Sequence, residues 1–328
     1  MAPRLEAGGA PHGRPWRAPR GGVTMEGPPG TGDVQRKAVA AMVRPLVVGV
    51  DGSDPALRAL DWAVDEAALH GLELRVVHAA VRERSAWASA TDLERPRAPD
   101  PAQGVVATAV AQARCRRPHV EVTGEVRADA PVTGLLRAGL SASALVLGSR
   151  GHGELSALLL GSVGLAVASR ARCPVIVVRG DPAGLAGTHR CVLLGVGEPW
   201  QASEAVRFAF REAAARDCLL KAVRTWRCPA AERAGSAGAA PADHERQAAQ
   251  LLGRALGEAA AAYPEVTVRR TTVEGPAHKM LVHRAAAADL LVVGVGSRHG
   301  HFGLPLGRVA HSALCHAACP VAVVPQRA

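Results

Sequence analysis

Aromatic residues make up only 3% of this 328-residue sequence: three Phe, one Tyr and five Trp. A core must therefore come from Ala, Val and Leu, and a hydrophobic content of 48% suffices for that. The same scarcity argues against single-stranded nucleic-acid binding, which uses aromatic side chains as stacking platforms. A net charge of +10 does not reverse this, because the arginines are dispersed among acidic residues and form no basic stripe. No nucleic-acid partner is expected. No apolar run reaches the roughly 18 residues that span a bilayer. The arginine-containing N-terminus lacks the continuous apolar segment of a secretory signal. The expectation is a cytoplasmic protein with no membrane partner.

Seven cysteines are scattered along the chain without any C-x-x-C pair, which favours reduced thiols over a disulfide framework. His311, Cys315, His316 and Cys319 cluster, but their cysteines are four apart and Cys319 precedes Pro320 at an expected strand start. That spacing does not suit a zinc site. No metal ligand is assigned.

The length accommodates two domains of ordinary size. Residues 1–42 are rich in Gly, Pro, Ala and Arg, without periodicity. They read as a disordered or untranslated extension, with Met25 and Met42 as alternative starts. Gly27 to Val34 imitate a phosphate-binding P-loop, but Asp33 and Val34 stand where Lys and Ser/Thr are required. A carboxylate in place of that lysine repels a nucleotide.

Order is expected from Leu46–Val50, an apolar run of the kind found in strands buried on both faces. Asp54 is the expected N-cap of a helix with Pro55 in its first turn and its end near Gly71. Strands are expected at Leu74–His78, Val120–Val126, Ala144–Leu147 and Val175–Val178. Helices are expected to end near Arg116 and to begin at Pro131 and Ser162. The same order then returns, with strands at Cys191–Val196, Leu219–Thr225, Val266–Val273, Leu290–Val293 and Val321–Val324. Gly49 and Gly195, Gly148 and Gly294, Gly161 and Gly307, and Cys173 and Cys319 are each 146 positions apart. Alternating strands and helices imply parallel, doubly wound sheets, and the fixed offset implies a duplication. The expected fold class is therefore α/β, with two tandem open parallel-sheet, Rossmann-like domains at 43–180 and 189–328, joined by a linker at 181–188.

In such sheets a ligand lies beyond the carboxyl ends of the strands. Asp51 follows the first strand there, and Leu147-Gly148 leads into a glycine-rich loop that ends at Gly161-Ser162. A carboxylate suits ribose hydroxyls or an amino group, glycines let backbone N–H groups approach phosphates, and Ser162 adds a hydroxyl at a helix start. Gly148, Gly151, Gly161 and Ser162 form the pattern G-x2-G-x9-G-(S/T). With Val-Gly-Val-Asp51-Gly-Ser53 and Cys173-Pro174-Val175, this resembles the universal stress protein family in its tandem-domain form, over essentially all of residues 43–326.

The resemblance implies an ATP-binding regulatory protein of the stress response, often with a divalent cation, Mg2+, bound beside the nucleotide. It implies a nucleotide site of Gly49, Asp51, Ala79, Leu147, Gly148, Gly151, Gly161, Ser162 and Val163, with Asp51 and the Ala79 backbone on the nucleoside. It also implies that the two domains pair through their last strands, and it leaves open a homodimer of chains. The second copy departs from the pattern: Gly197 replaces Asp51, Ser297 replaces Gly151, Arg308 replaces Ser162, and Arg224 and Thr225 replace His78 and Ala79. Its loop is expected to be degenerate. No catalytic residue is assigned, since Ser149 lacks the context of a hydrolase nucleophile. The alternatives are a nucleotide-independent stress-associated scaffold or dimerisation protein and, last, a slow ATPase.

Overall fold

A computed structural model describes residues 44–81, 100–149, 161–198, 203–228, 241–296 and 306–326. The N-terminal extension with its P-loop imitation, Gly151 and Ser297 lie outside the described residues.

Strand β1 (Leu46–Gly49) is buried at all four positions, as its unbroken apolar run requires. It is followed by α1 (Asp54–His70), β2 (Leu74–Ala79), α2 (Pro101–Arg116), β3 (Val122–Arg127), α3 (Pro131–Gly139), β4 (Ala144–Gly148), α4 (Ser162–Ala168) and β5 (Val175–Val178). After a short helix α5 (Pro182–Leu185), the pattern repeats as β6 (Cys191–Gly195), α6 (Ser203–Ala215), β7 (Leu219–Trp226) and α7 (Pro241–Ala262). It continues as β8 (Val268–Glu274), α8 (Ala277–Arg284), β9 (Leu290–Val295), α9 (Gly307–His316) and β10 (Val321–Pro325).

The ten strands among the described residues join in one sheet of order β3-β2-β1-β4-β5-β10-β9-β6-β7-β8. Every pairing is parallel except that of β5 with β10, where Val177 faces Val321 and Val175 faces Val323 in antiparallel register. The last strands of the two halves thus cover each other's edges, which would otherwise expose unpaired apolar backbone. Alternation along the strands divides the core into two layers. Leu46, Val48, Ile176 and Ala322 face α1, α2, α6 and α7, whereas Val47, Leu145, Val177 and Val323 face α3, α4, α8 and α9. Each layer runs without interruption from one half into the other.

Three local expectations are corrected. The cap of α1 is Ser53, whose Oγ accepts from the Ala56 N–H at 3.4 Å, and Asp54 lies within the first turn. Strands β3 and β8 start two residues later than their apolar runs. Val120 and Val266 instead donate to Arg117 and Tyr263 in turns that close the preceding helices. Pairing begins only where Val122 meets Leu74 and Val268 meets Leu220. The linker region contains helix α5, capped by Asp181, whose Oδ1 accepts from the Gly184 N–H at 2.8 Å. It is docked as well, because the Asp181 N–H donates to the Ala318 carbonyl at 3.0 Å.

Candidate functional site

In the first half the sheet order reverses between β1 and β4, which are direct neighbours. Their crossovers leave in opposite directions, so a crevice opens beyond their carboxyl ends. Asp51 and the base of the glycine loop emerge there side by side.

Asp51 is half-buried and held by the turn that starts α1. Its Oδ1 accepts from the Ser53 N–H at 3.0 Å and from the Ser53 hydroxyl at 2.6 Å. Because Ser53 also caps α1, one serine orients both the helix and the carboxylate. An ionised carboxylate has further acceptor capacity, so this turn positions Asp51 without exhausting it. Behind Asp51, His78 Nδ1 lies 2.8 Å from the Val50 carbonyl. A carbonyl only accepts, so the contact makes Nδ1 the protonated nitrogen.

The glycine loop leaves from Gly148 and returns at Gly161, and its two ends are tied together. The Ser149 N–H donates to the Val178 carbonyl at 3.2 Å, and the Gly161 N–H donates to the Ser149 carbonyl at 3.0 Å. Gly161 is the N-cap of α4 and makes no side-chain cap. The N–H groups of Ser162, Val163 and Gly164 lie in the first turn, where a helix has no carbonyl of its own to offer them. Ser162 is exposed, whereas the Val163 side chain packs against the core.

The glycines expected at the site prove to do different jobs. A Cβ on Gly148 would lie 2.7 Å from the backbone C and O of Pro55, so this glycine admits the first turn of α1 onto the end of β4. A Cβ on Gly49 would meet Leu147 at 2.7 Å and Leu135 at 2.8 Å, which places Gly49 in the core beneath the crevice rather than at its mouth. Leu147 is buried with it. Ala79 ends β2 and lies against α3, where Gly134 makes room for it.

The second half has the equivalent switch point between β6 and β9. There Arg224, in the place of His78 and 9% exposed, donates to the Gly197 carbonyl, and its Nη2 reaches Glu198 Oε1 at 3.2 Å. A guanidinium thus bonds the backbone where the first half carries Asp51. At the start of α8, desolvation first, and then the charges of Arg308, Lys279 and Arg227, push the His278 pKa below its ordinary value. Spacing alone did not reveal the Arg224 contact, although a long cation in the place of His78 was its visible signal.

No helix among the described residues is long and apolar enough to cross a membrane. This α/β fold is shared with solved structures. A universal stress protein from Archaeoglobus fulgidus superposes with a TM-score of 0.61, covering 86% of this chain and 96% of its own, at 18% identity. In sequence, the chain is 33% identical over 291 residues to a universal stress protein of Mycobacterium tuberculosis, covering 86% of this chain and 97% of that relative. A universal stress protein of Mycolicibacterium smegmatis is 31% identical over 291 residues with the same coverage. The family model described as Universal stress protein family matches residues 42–179 and again 189–325. The chain therefore belongs to the universal stress protein family, in a tandem form.

Proposed function

We propose that the protein is an ATP-binding regulator of the stress response whose nucleotide is held in the first half. The observation that carries this reading is the juxtaposition of Asp51 with the tied ends of the glycine loop at the β1–β4 switch point. The donor set suits a nucleotide. Asp51 offers acceptors to the nucleoside, and the first-turn N–H groups with the Ser162 hydroxyl offer donors to phosphate. Gly151 completes this loop in the family pattern. Gly148 and Gly161 contribute by shaping the crevice, the one through α1 and the other through the loop closure. Mg2+ would enter with the phosphates, and no side chain is assigned to it.

Three features set the second half apart as a poor nucleoside site: Gly197 has no carboxylate, Arg224 bonds the Gly197 carbonyl, and Arg308 stands at the helix start. Binding, rather than rapid turnover, is the activity this reading assigns. A cytoplasmic location is part of it.

Calorimetric titration of the purified protein with ATP and Mg2+ tests the reading. The expected result is one nucleotide per chain. An Asp51→Ala variant that keeps its fold is expected to lose at least about tenfold in affinity, the scale of one charge-assisted hydrogen bond. Absence of binding at millimolar ATP would overturn the reading in favour of a nucleotide-independent scaffold. A stoichiometry of two would overturn the division of labour between halves.

A further inference from the structure

Helices α1 and α6 occupy equivalent places in the two halves and meet where the halves join. Glu66 and Glu212 are 146 positions apart, and so are His70 and Arg216. These four side chains close into a ring. Within each helix a carboxylate meets the cation one turn on: Glu66 Oε1 lies 3.3 Å from His70 Nε2, and Glu212 Oε2 lies 2.6 Å from Arg216 Nη1. Between helices the pairing repeats crosswise, with His70 Nε2 at 3.1 Å from Glu212 Oε2 and Arg216 Nη2 at 2.5 Å from Glu66 Oε2. Both carboxylates are buried, and the two cations are nearly so.

The ring is a product of the duplication, but its halves are not alike. One side carries an arginine, which keeps its charge at any pH a protein survives. The other carries a histidine, the member able to release its positive charge in mild alkali. We propose that this ring is a proton-operated latch between the two halves of the chain, closed while His70 is an imidazolium and weakened when it becomes neutral.

The surroundings explain why the latch is shut near neutrality. Burial by itself lowers the His70 pKa, but hydrogen bonds to Glu212 and Glu66, and then their charges, outweigh it and bring the value to about 9. Two more cations face the ring and oppose that proton. Arg211 on α6 reaches Glu212 Oε1 at 3.1 Å while lying over the Phe208 ring, and Arg44 before β1 lines the same cavity as His70. This cavity of about 450 Å³ lies beside the amino ends of β1 and β4 and gives water and protons a route to the imidazole.

Because the folded value of His70 exceeds the ordinary 6.5, its contribution is complete below about pH 6.5 and disappears as pH rises through about 9. Neutral His70 leaves two buried carboxylates with one fewer counter-charge, the costly state of a buried pair that has lost a partner.

The test follows the unfolding equilibrium of the full chain from pH 6 to pH 10 in EDTA, so that no stray metal replaces the proton. Between pH 7 and pH 10 the wild type is expected to lose about ten- to hundredfold in its folded-to-unfolded ratio relative to His70→Arg, whose ring cannot titrate. Arg216→His adds a second titrating member and is expected to steepen the loss. Nitrogen-detected NMR of the wild-type imidazoles reads the same proton without any substitution and is expected to show one histidine titrating near pH 9. Parallel profiles for the wild type and a folded His70→Arg would overturn the proposal. So would a spectrum in which every histidine titrates near its ordinary value.

Discussion

Gly148 lies directly beneath Pro55: a Cβ added to the glycine would stand 2.7 Å from the proline carbonyl. The contact is backbone against side chain, so no rotamer change relieves it. It links the end of β4 to the first turn of α1 and therefore to the Asp51–Ser53 turn just before that helix. Gly148→Ala is expected to push α1 outward and to destabilise the protein by roughly 1–3 kcal/mol, the usual range for overpacking. Urea unfolding measures the loss. An unchanged midpoint would mean that α1 yields freely and that Gly148 has no packing role.

Ser53 serves two masters, as cap of α1 and as anchor of Asp51. Ser53→Ala is expected to cost about 1 kcal/mol of stability, typical for a lost N-cap. It should also weaken ATP binding, because Asp51 loses the hydroxyl donor at 2.6 Å and keeps only the backbone N–H of this turn. Ser53→Thr keeps the hydroxyl and is expected to restore most of both. If the alanine variant binds ATP as well as the wild type does, the orientation of Asp51 does not depend on this turn.

At the helix start, the duplicated chain supplies its own control. Ser162 is exposed, so Ser162→Arg, which copies Arg308 of the second half, is expected to leave the unfolding midpoint within about 0.5 kcal/mol. A bulky side chain at the phosphate end should nevertheless reduce ATP affinity by at least about tenfold, as seen by calorimetry. Retained affinity would move the phosphates away from this helix.

Gly161 and Gly307 share a place in the repeat but not a conformation. Gly307 has φ of +70°, where a side chain is strained, whereas Gly161 has φ of −59°, a backbone conformation that side chains adopt without strain. Gly307→Val is expected to lower stability by about 1–2 kcal/mol and to leave ATP binding alone. Gly161→Val is expected to lower ATP affinity with a smaller stability cost. Thermal unfolding and titration on both variants separate the two effects, and equal affinity losses would contradict a site confined to the first half.

The strand pattern was legible because buried parallel strands are written as unbroken apolar runs. Leu46–Gly49 and Val175–Val178 lie where those runs stand. Starts that depend on hydrogen bonding to a partner were less legible. Val120 and Val266 are as apolar as strand residues, yet their N–H groups close turns. The same limit applies at the crevice. Composition and spacing pick out Gly49, Gly148 and Gly161 as one class of residue. Only the neighbours in space distinguish a glycine covered by leucines, one beneath a helix and one that closes a loop.

By itself, the sequence determined the repeat, the order of strands and helices, and the loss of the aspartate in the second copy. Each of these is a local pattern or a comparison of the chain with itself. Tertiary structure alone decided that Arg224 bonds the Gly197 carbonyl and that Glu66, His70, Glu212 and Arg216 form one ring. The ring members lie on helices 146 positions apart, and each helix read alone shows only an ordinary charged pair one turn apart. A charge changes its meaning when folding removes water and brings a distant partner within 3 Å, and no local pattern records that event.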